Sequence, residues 1–338
     1  MIRTTKNILK ELFKYYTPSF IFKKIPNMII IETTNICNLR CPVCPTTIDM
    51  TRSRGFMDFN LFKNIIDDFN EFEKKPEIAM NFSGEPTLHK NIYQFVEYAS
   101  SKGHRTYIST NVTAMNKNNS VKLIKSGLSD IHLCIDGFSN KSHDTYRIGS
   151  KFEIIKRNIE IFMNSKHELN SKNPNVCIQT LLTSLSENEK DDMVKWAEDI
   201  GADSIDFKSF NLGSFTSKEL KNKYEYLLPT EDKFRRHQKK EFKSICTIPY
   251  HQTVVYWNGD LGLCCTDFDK KVKMPNIRQN GGFLKTIFSK EVIDIRKNGL
   301  KKKYDICSDC SIGNADYMGY NYSFENRDKD SKDGIKYS

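Results

Sequence analysis

Cys37, Cys41 and Cys44 are the residues whose type and spacing point most directly to chemistry. With three and then two residues between them, one loop can direct all three sulfurs at a single metal centre. Iron–sulfur clusters are held by Cys thiolates, and a cubane with only three protein ligands leaves one iron open to another molecule. The alternative is zinc, but a structural zinc site is closed by four ligands, usually in Cys-x2-Cys pairs. No His and no fourth Cys lies near this triplet, so ligand count and spacing favour a cluster.

A second group of cysteines lies in the C-terminal third of the chain. Twelve residues separate Cys246 from Gly259, and four more lead to Cys264. Cys307 and Cys310 then form a Cys-x2-Cys pair. Four thiols in this arrangement can bind zinc as a ribbon or hold an iron–sulfur cluster, and the residues alone leave both open.

Turn signals and hydrophobic periodicity predict the elements around this second group. An Asn-Gly pair at 258–259 predicts a hairpin over residues 254–260, which would return Cys264 to the side of the first arm. A helical pattern from Leu284 to Lys297 leads to the final cysteine pair.

Residues 28–210 alternate between strand and helix patterns. The predicted strands are Met28–Thr33, Glu77–Phe82, Arg105–Ser109, Ile131–Ile135, Val176–Leu182 and Ser204–Lys208. The predicted helices lie near residues 58–72, 88–102, 116–126, 151–165 and 187–200. Repeated parallel βα units predict an α/β fold, with helices outside a sheet and functional loops at the carboxyl ends of the strands. Six such strands make a partial (β/α)6 TIM barrel, short of the eight that close a full barrel.

The rest of the chain is assigned to smaller units. Residues 1–27 begin with an amphipathic helix pattern, which we expect to dock on the main domain; a helix lying on a membrane surface is the minor alternative. Residues 211–245 are rich in Lys, Glu and Tyr and predict a linker. Residues 246–320 predict a small domain built from a β-hairpin and a helix, and residues 321–338 predict a polar, mobile tail.

Composition excludes several classes of protein. The longest purely aliphatic run, residues 28–31, is far shorter than the ~20 residues that cross a bilayer, and charged residues interrupt the N-terminal apolar ones as no secretion signal allows. Membrane association is therefore not expected. Ten cysteines without a secretion signal indicate a reducing compartment, so we expect the cytoplasm. The net charge of +10 comes from Lys and Arg spread along the chain, and without a basic stripe we expect no DNA partner.

The Cys-x3-Cys-x2-Cys triplet after a first strand resembles the signature of the radical S-adenosylmethionine (SAM) superfamily. This resemblance implies a [4Fe–4S] cluster on Cys37, Cys41 and Cys44 whose open iron is chelated by the amine and carboxylate of SAM. It implies that reduction by a flavodoxin- or ferredoxin-type donor cleaves SAM to methionine and a 5′-deoxyadenosyl radical, which abstracts a hydrogen atom from substrate. One departure is Val43, at a position where the family commonly has an aromatic residue beside the adenine.

The loops after the predicted strands resemble the family's SAM contacts. The Ser-Gly-Glu-Pro turn at 83–86 resembles the turn that holds the methionine amine. Arg147 resembles the Arg of a His-Asp-x-x-Arg motif that pairs with the SAM carboxylate. The resemblance therefore implies cofactor-binding positions at Ser83, Gly84, Glu85, Pro86, Asn111, Cys134, Asp136 and Arg147. Gln179, on the fifth predicted strand, faces either the same cavity or the opposite side, because side chains alternate along a strand.

Beside such a core, the second cysteine group resembles the auxiliary-cluster modules called SPASM and twitch. The resemblance implies one fully ligated auxiliary [4Fe–4S] cluster, as in the shorter twitch arrangement, because no cysteine follows Cys310. Its ligands would be Cys246, Cys264, Cys307 and Cys310. The spacings resemble those of radical SAM dehydrogenases that oxidise an alcohol on an aminocyclitol.

These motifs predict a radical SAM oxidoreductase that dehydrogenates a small polar alcohol, such as a sugar or an aminocyclitol. A hydrogen atom would leave the carbinol carbon, an electron would pass to the auxiliary cluster, and an unnamed base would take the proton. A ribosomal peptide-modifying maturase is the first alternative, and its substrate would be a peptide. An epimerase in which Cys265 donates a hydrogen atom is a variant, although such a Cys is more often a small buried residue. A non-catalytic metal- or nucleic-acid-binding protein is the second class, and it predicts no SAM cleavage.

Overall fold

The computed structural model describes residues 24–48, 50–213, 217–235, 245–308, 310, 319–324 and 335–336. The amphipathic helix predicted near the start of the chain lies outside these residues, as does most of the predicted tail. No helix in the described part of the chain is long and apolar enough to cross a membrane.

Six parallel strands form the centre of the structure. They are β1 (Met28–Ile31), β2 (Glu77–Ala79), β3 (Thr106–Thr110), β4 (Asp130–Cys134), β5 (Asn175–Leu182) and β6 (Ser204–Ser209). They pair side by side in chain order, and the sheet they form is not closed. The predicted α/β fold with a partial barrel is therefore confirmed.

Helices cover one face of this sheet. Those between the six strands are α1 (Pro45–Ile48), α2 (Phe59–Asp67), α3 (Ile92–Ser101), α4 (Lys117–Lys125), α5 (Asn140–Tyr146), α6 (Phe152–Glu168) and α7 (Lys190–Asp199). Alternate strand residues such as Ile29, Ile108 and Ile131 pack with helix residues such as Phe62 and Phe95 in the main core. We call the opposite face of the sheet, away from this core, the inner face.

The C-terminal module extends the same sheet. After α8 (Lys218–Tyr224) and α9 (Ile248–His251), strand β7 (Gln252–Val255) pairs in parallel with β1. Strand β8 (Leu261–Gly262) then pairs antiparallel with β7, which confirms the predicted hairpin. The sequence gives no sign that the hairpin joins the barrel sheet, because a parallel pair between such distant segments leaves no local pattern.

The helix after the hairpin differs from the prediction. The single helix predicted from Leu284 to Lys297 is two helices, α10 (Phe283–Ile287) and α11 (Lys290–Leu300), because the Ser289 side chain accepts a hydrogen bond from Val292 N (3.3 Å) and caps the second.

Strand β9 (Gly319–Ser323) pairs antiparallel with β6 and crosses the boundary predicted at residue 321. It gives the edge of β6 a backbone partner and in turn pairs with β10 (Ile335–Lys336). Leu227 and Phe234, from the predicted linker, are buried.

Candidate active site

The segment that leads from β1 into the cysteine loop is fixed by hydrogen bonds. Asn35 donates to Ser53 O (2.8 Å) and accepts from Gly55 N (2.9 Å). Arg54 donates to Asn35 O (2.7 Å) and to Thr46 O (2.6 Å), which joins the two ends of the loop. Sequence reasoning missed Asn35 and Arg54, because several of their partners are backbone groups that no residue pattern reveals.

Cys37, Cys41 and Cys44 follow on this loop. Burial raises the pKa of the Cys41 thiol to about 12 and also raises the pKa of Cys37. Cys37 Sγ lies 3.8 Å from the Asn111 amide nitrogen, and Cys44 Sγ lies 3.0 Å from Thr46 Oγ1. Three thiols, two of them with a polar group beside the sulfur, fit an iron–sulfur cluster, whose properties depend on such hydrogen bonds. Among the described side chains, no three His, Cys, Asp or Glu come close enough together to hold a single metal ion.

Gly84 lies directly against the backbone that precedes the cysteines. A Cβ at this position would be 2.8 Å from Ile36 O and 2.9 Å from Asn35 Cα, and closer still to Thr34 O. The next residue, Glu85, donates its N–H to Ile36 O (2.9 Å). The turn after β2 and the cysteine loop therefore form one tightly packed unit.

Glu85 links this unit to the end of β3. The side chain is only 3% exposed. Its carboxylate accepts hydrogen bonds from Thr110 Oγ1 (2.7 Å) and Asn111 N (2.6 Å). Asn111 in turn donates to Asn38 Oδ1 (3.0 Å), next to Cys37. The Glu85 side chain thus positions Asn111 against the cysteine loop.

A cavity of about 680 Å³ opens beside the cysteine loop, within the usual size of small-molecule sites. Asn81 and Ser83 line it, and the Asn81 Oδ1 and Ser83 Oγ atoms are buried and have no hydrogen-bond partner among the described residues. Buried polar atoms rarely stay unpaired in folded proteins. These two atoms therefore fit a polar ligand, and the methionine end of SAM is one that would suit them. Apolar contacts come from Val43, Tyr146 and Phe210.

Arg147 and Asp136 form a buried ion pair behind this cavity. Burial acts to lower the pKa of Arg147, but the charges of Asp136, Cys41 and Cys134 and the hydrogen bond to Asp136 together outweigh it and raise that pKa overall. The other oxygen of Asp136 accepts from Leu181 N (2.9 Å), and Leu181 lines the cavity. The implied contact of Arg147 with the SAM carboxylate stays a prediction, as do the other implied SAM contacts.

His143 supports this ion pair and makes stability depend on pH. It is 1% exposed, accepts from Asp136 N (3.3 Å), and lies 3.0 Å from Ser150 Oγ through its other nitrogen. Burial lowers the pKa of His143 to about 4. The unfolded chain takes up this proton near pH 6.5, so the stabilisation is complete above that pH and is lost as pH falls towards 4.

We therefore compare the cluster-free protein with its His143→Gln variant. Between pH 7 and 4.5, the free energy of unfolding should fall by about 2 kcal/mol more in the protein that has His143 than in the variant. Urea denaturation at several pH values measures both slopes. Equal slopes for the two proteins would contradict this assignment.

The inner face carries Cys134 and Gln179. Gln179 Nε2 donates to Cys134 Sγ (3.4 Å), and Ser109 Oγ lies 3.2 Å from the same sulfur. Lys208 donates to Gln179 Oε1. Gln179 therefore lies on the inner face, but it is not among the residues that line the cavity. Lys208 was not singled out because strand residues of this type are usually solvated.

The C-terminal cysteines separate into two environments. Cys264 packs in the main core, where burial raises the pKa of its thiol to about 12. Cys265 lines the cavity and accepts from Gln252 Nε2 (3.4 Å). Cys307 and Cys310 are half-buried, and none of the ten cysteines forms a disulfide. Electrostatic interactions join Cys265, and also Cys307, to both Cys246 and Cys310, whereas the predicted ligand Cys264 packs in the core. The thiols of this module fit an auxiliary cluster by the chemistry of the donor set, and the predicted set Cys246, Cys264, Cys307 and Cys310 stays a prediction.

Arg52 joins the segment after the cysteine loop to the C-terminal module. Its two Nη atoms donate to the Glu32 carboxylate (2.9 and 2.7 Å), and Nε donates to Phe268 O (2.7 Å). The guanidinium also stacks over the Tyr256 ring, 4.2 Å from its centroid. Because Phe268 lines the cavity, this contact fixes two of its walls relative to each other.

Family comparisons agree with this geometry. The profile of the radical SAM superfamily matches residues 31–198, and the profile of the SPASM iron–sulfur cluster-binding domain matches residues 246–311. The chain belongs to the radical SAM superfamily and carries a C-terminal SPASM domain. It is therefore an iron–sulfur enzyme that uses SAM, a [4Fe–4S] cluster and auxiliary iron–sulfur chemistry.

Curated relatives are distant in sequence. An AdoMet-dependent heme synthase of Oleidesulfovibrio alaskensis is 26% identical over 235 residues, which cover 67% of this chain and 57% of the relative. A PqqA peptide cyclase of Bradyrhizobium diazoefficiens is 26% identical over 114 residues, which cover 33% of this chain and 29% of that protein. The chain thus spans about half the length, or less, of these relatives.

Solved structures show the same fold. The crystal structure of BtrN with AdoMet and 2-DOIA is 20% identical with a TM-score of 0.53, covering 85% of this chain and 93% of BtrN. Streptococcus suis SuiB bound to S-adenosylmethionine is 14% identical with a TM-score of 0.61, covering 87% of this chain and 72% of SuiB.

Proposed function

We propose that this enzyme dehydrogenates a small polar alcohol, such as a sugar or an aminocyclitol. The observation that carries the proposal is that both cysteine-bearing modules line one cavity of about 680 Å³. Cys44 lies on one wall, and Cys265 with Asp305 and Ser308, which flank Cys307, lie on another. A small substrate in this cavity lies between the two cysteine groups.

The chain's own residues hold and shield the reacting molecules. When bound, SAM and the two clusters supply hydrogen-atom abstraction and an acceptor for the second electron. Cys37, Cys41 and Cys44 would hold the first cluster, and Cys246, Cys264, Cys307 and Cys310 the auxiliary one. Removal of one hydrogen atom from the carbinol carbon, one electron and one hydroxyl proton leaves a carbonyl. An external donor of the flavodoxin or ferredoxin type would reduce the enzyme in the cytoplasm.

Peptide modification is the second candidate. It is supported by the relative named PqqA peptide cyclase and by the fold shared with SuiB, which has been crystallised with its precursor peptide SuiA. The alcohol proposal is supported by the size of the cavity and by the fold shared with BtrN, which was crystallised with 2-DOIA.

Iron content tests the two-cluster assignment. Anaerobic reconstitution should give ~8 irons per chain, and Cys41→Ala should reduce the value to ~4 and abolish SAM cleavage. Cys177→Ala is the matched control, because Cys177 is a buried strand residue outside both groups and should keep the full iron content. A wild-type value that stays near four, with zinc in the second site, would remove the electron acceptor.

Deuterium transfer tests the substrate class. Reduced enzyme is incubated with SAM and with panels of carbon-deuterated polyols, aminocyclitols and peptides. We expect deuterium in 5′-deoxyadenosine from an alcohol, with one carbonyl formed for each deoxyadenosine. Transfer from peptides alone would replace this proposal with peptide modification.

A further inference from the structure

We propose that Asp206, on the polar wall formed by the inner face of β3–β6, accepts a hydrogen bond from a hydroxyl group of a polyhydroxylated, uncharged substrate. The inference rests on the proposed oxidation of a small alcohol and selects, within that class, a sugar-like polyol without the ammonium group of an aminocyclitol.

The inner face is divided into an apolar half and a polar half. One half is a buried apolar cluster on β1, β2 and the end of β7, formed by Ile30, Ala79, Val254 and Tyr256. Strands β3 to β6 instead present polar groups on the same face: Tyr107, Ser109, His132, Cys134, Gln179, Asp206 and Lys208. A sheet face built only for packing would be apolar throughout, so the polar half needs a separate explanation.

Asp206 carries the strongest sign of a missing partner. It is only 8% exposed, and its Oδ1 is buried without a hydrogen-bond partner among the described residues. Its Oδ2 lies 3.9 Å from Lys208 Nζ. Burial raises the pKa of Asp206, and Lys208 acts in the opposite direction. A buried carboxylate oxygen without a donor is costly, so Oδ1 is placed to accept from a ligand.

This wall is reached from the cavity. In the strand register Gln179 lies opposite Asp206, and Leu181 lies opposite Lys208. Leu181 lines the cavity, so Asp206 lies one step of two residues, about 7 Å, further into the inner face. Gln179 and Lys208 are half-buried, so solvent reaches the inner face at these two positions.

The charges of the wall indicate a neutral ligand. The carboxylate of Asp206 is offset by the ammonium of Lys208, and burial lowers the pKa of His132 to about 4, so its ring is neutral near pH 7. With no excess positive charge, the wall suits the hydroxyl groups of a polyol better than a phosphate ester. The Tyr107 hydroxyl, 3.1 Å from His132 Nδ1, adds a further hydrogen-bonding group.

Ligand affinity tests the inference without turnover. Calorimetry on the reconstituted holoenzyme with SAM would measure the dissociation constants of myo-inositol, myo-inositol 1-phosphate and cyclohexanol. We expect myo-inositol to bind most tightly, and Asp206→Asn to weaken it ~10- to 100-fold through loss of a charge-assisted hydrogen bond. The affinity for SAM and the iron content should not change.

Asp130→Asn is the matched control. Asp130 Oδ2 is also buried without a partner among the described residues, but Asp130 lies at the opposite end of β4 and pairs with Arg105. The Asp130→Asn variant should keep the wild-type affinity for myo-inositol. If Asp206→Asn does not fold, Lys208→Gln provides a second test of the same wall and should also weaken myo-inositol.

The outcomes separate this inference from the proposed reaction. The assignment of the wall is overturned if both wall variants keep their affinity for myo-inositol, if they lose only thermal stability, or if the wild-type holoenzyme does not bind myo-inositol. If myo-inositol binding depends on Asp206 but deuterium is transferred only from peptides, the assignment of the wall stands and the proposed alcohol oxidation is overturned. Tighter binding of the phosphate ester than of myo-inositol overturns the neutral substrate class.

Discussion

A Gly84→Ala enzyme is expected to lose most of its SAM-cleaving cluster. The added Cβ would meet backbone atoms of residues 34–36, with Ile36 O at 2.8 Å and Asn35 Cα at 2.9 Å. Real Cβ atoms essentially never approach other atoms so closely, and backbone cannot rotate away as a flexible side chain can. The segment before Cys37 must shift, and metal sites tolerate little displacement of their ligands.

Iron analysis after anaerobic reconstitution measures this effect. We expect ~4 irons per chain in Gly84→Ala against ~8 in the wild type, with no 5′-deoxyadenosine formed. Gly201→Ala is the control, because in the described part of the chain no atom other than those of its chain neighbours lies within 4 Å of its added Cβ. Gly201 has a φ of +76°, so this variant should lose about 1 kcal/mol of stability but keep its iron. Full iron in Gly84→Ala would show that the loop can move aside without consequence.

Arg52→Met should reduce the free energy of unfolding by about 3–5 kcal/mol. The variant keeps much of the side-chain volume but leaves the Glu32 carboxylate, which is 0% exposed, without its bidentate partner. An unpaired charge in such a position costs far more than the pair contributes. The variant also loses the stacking on Tyr256.

A double-mutant cycle isolates the buried charge as the cause. Adding Glu32→Gln to Arg52→Met removes the charge and should recover a large part of the lost stability, as measured by denaturant unfolding. Lys117→Met breaks an exposed pair with Glu168 and should change stability little, since surface pairs contribute little. If the double variant is no more stable than Arg52→Met, desolvation of Glu32 does not explain the loss.

The sequence predicts the residues that carry the chemistry of the site better than the residues that hold them in place. Candidate ligands such as Cys37 can be recognised in the sequence because residue type and spacing together indicate metal chemistry. The six barrel strands are visible because hydrophobic patterns have a short period. Arg52 and Asp206 show no such pattern, since their roles depend on partners brought together by folding. The break between α10 and α11 depends on a single cap at Ser289.

The same difference between residue patterns and three-dimensional contacts applies to the predicted site residues. Gly84 and Glu85 are recognised in the sequence as a turn, but their contacts with the cysteine loop and with Asn111 become visible only in three dimensions. The orientation of Gln179 was undecided because alternation fixes neighbours relative to one another but does not say which face is inside.

The pairing of β7 with β1 has a consequence for synthesis on the ribosome. Met28 finds its partner Gln252 only after most of the chain has been made. Until then the nascent barrel carries an exposed strand edge, the kind of surface that chaperones cover and that aggregates when left bare. A gene truncated before β7 should therefore yield inclusion bodies rather than a smaller SAM-cleaving fragment.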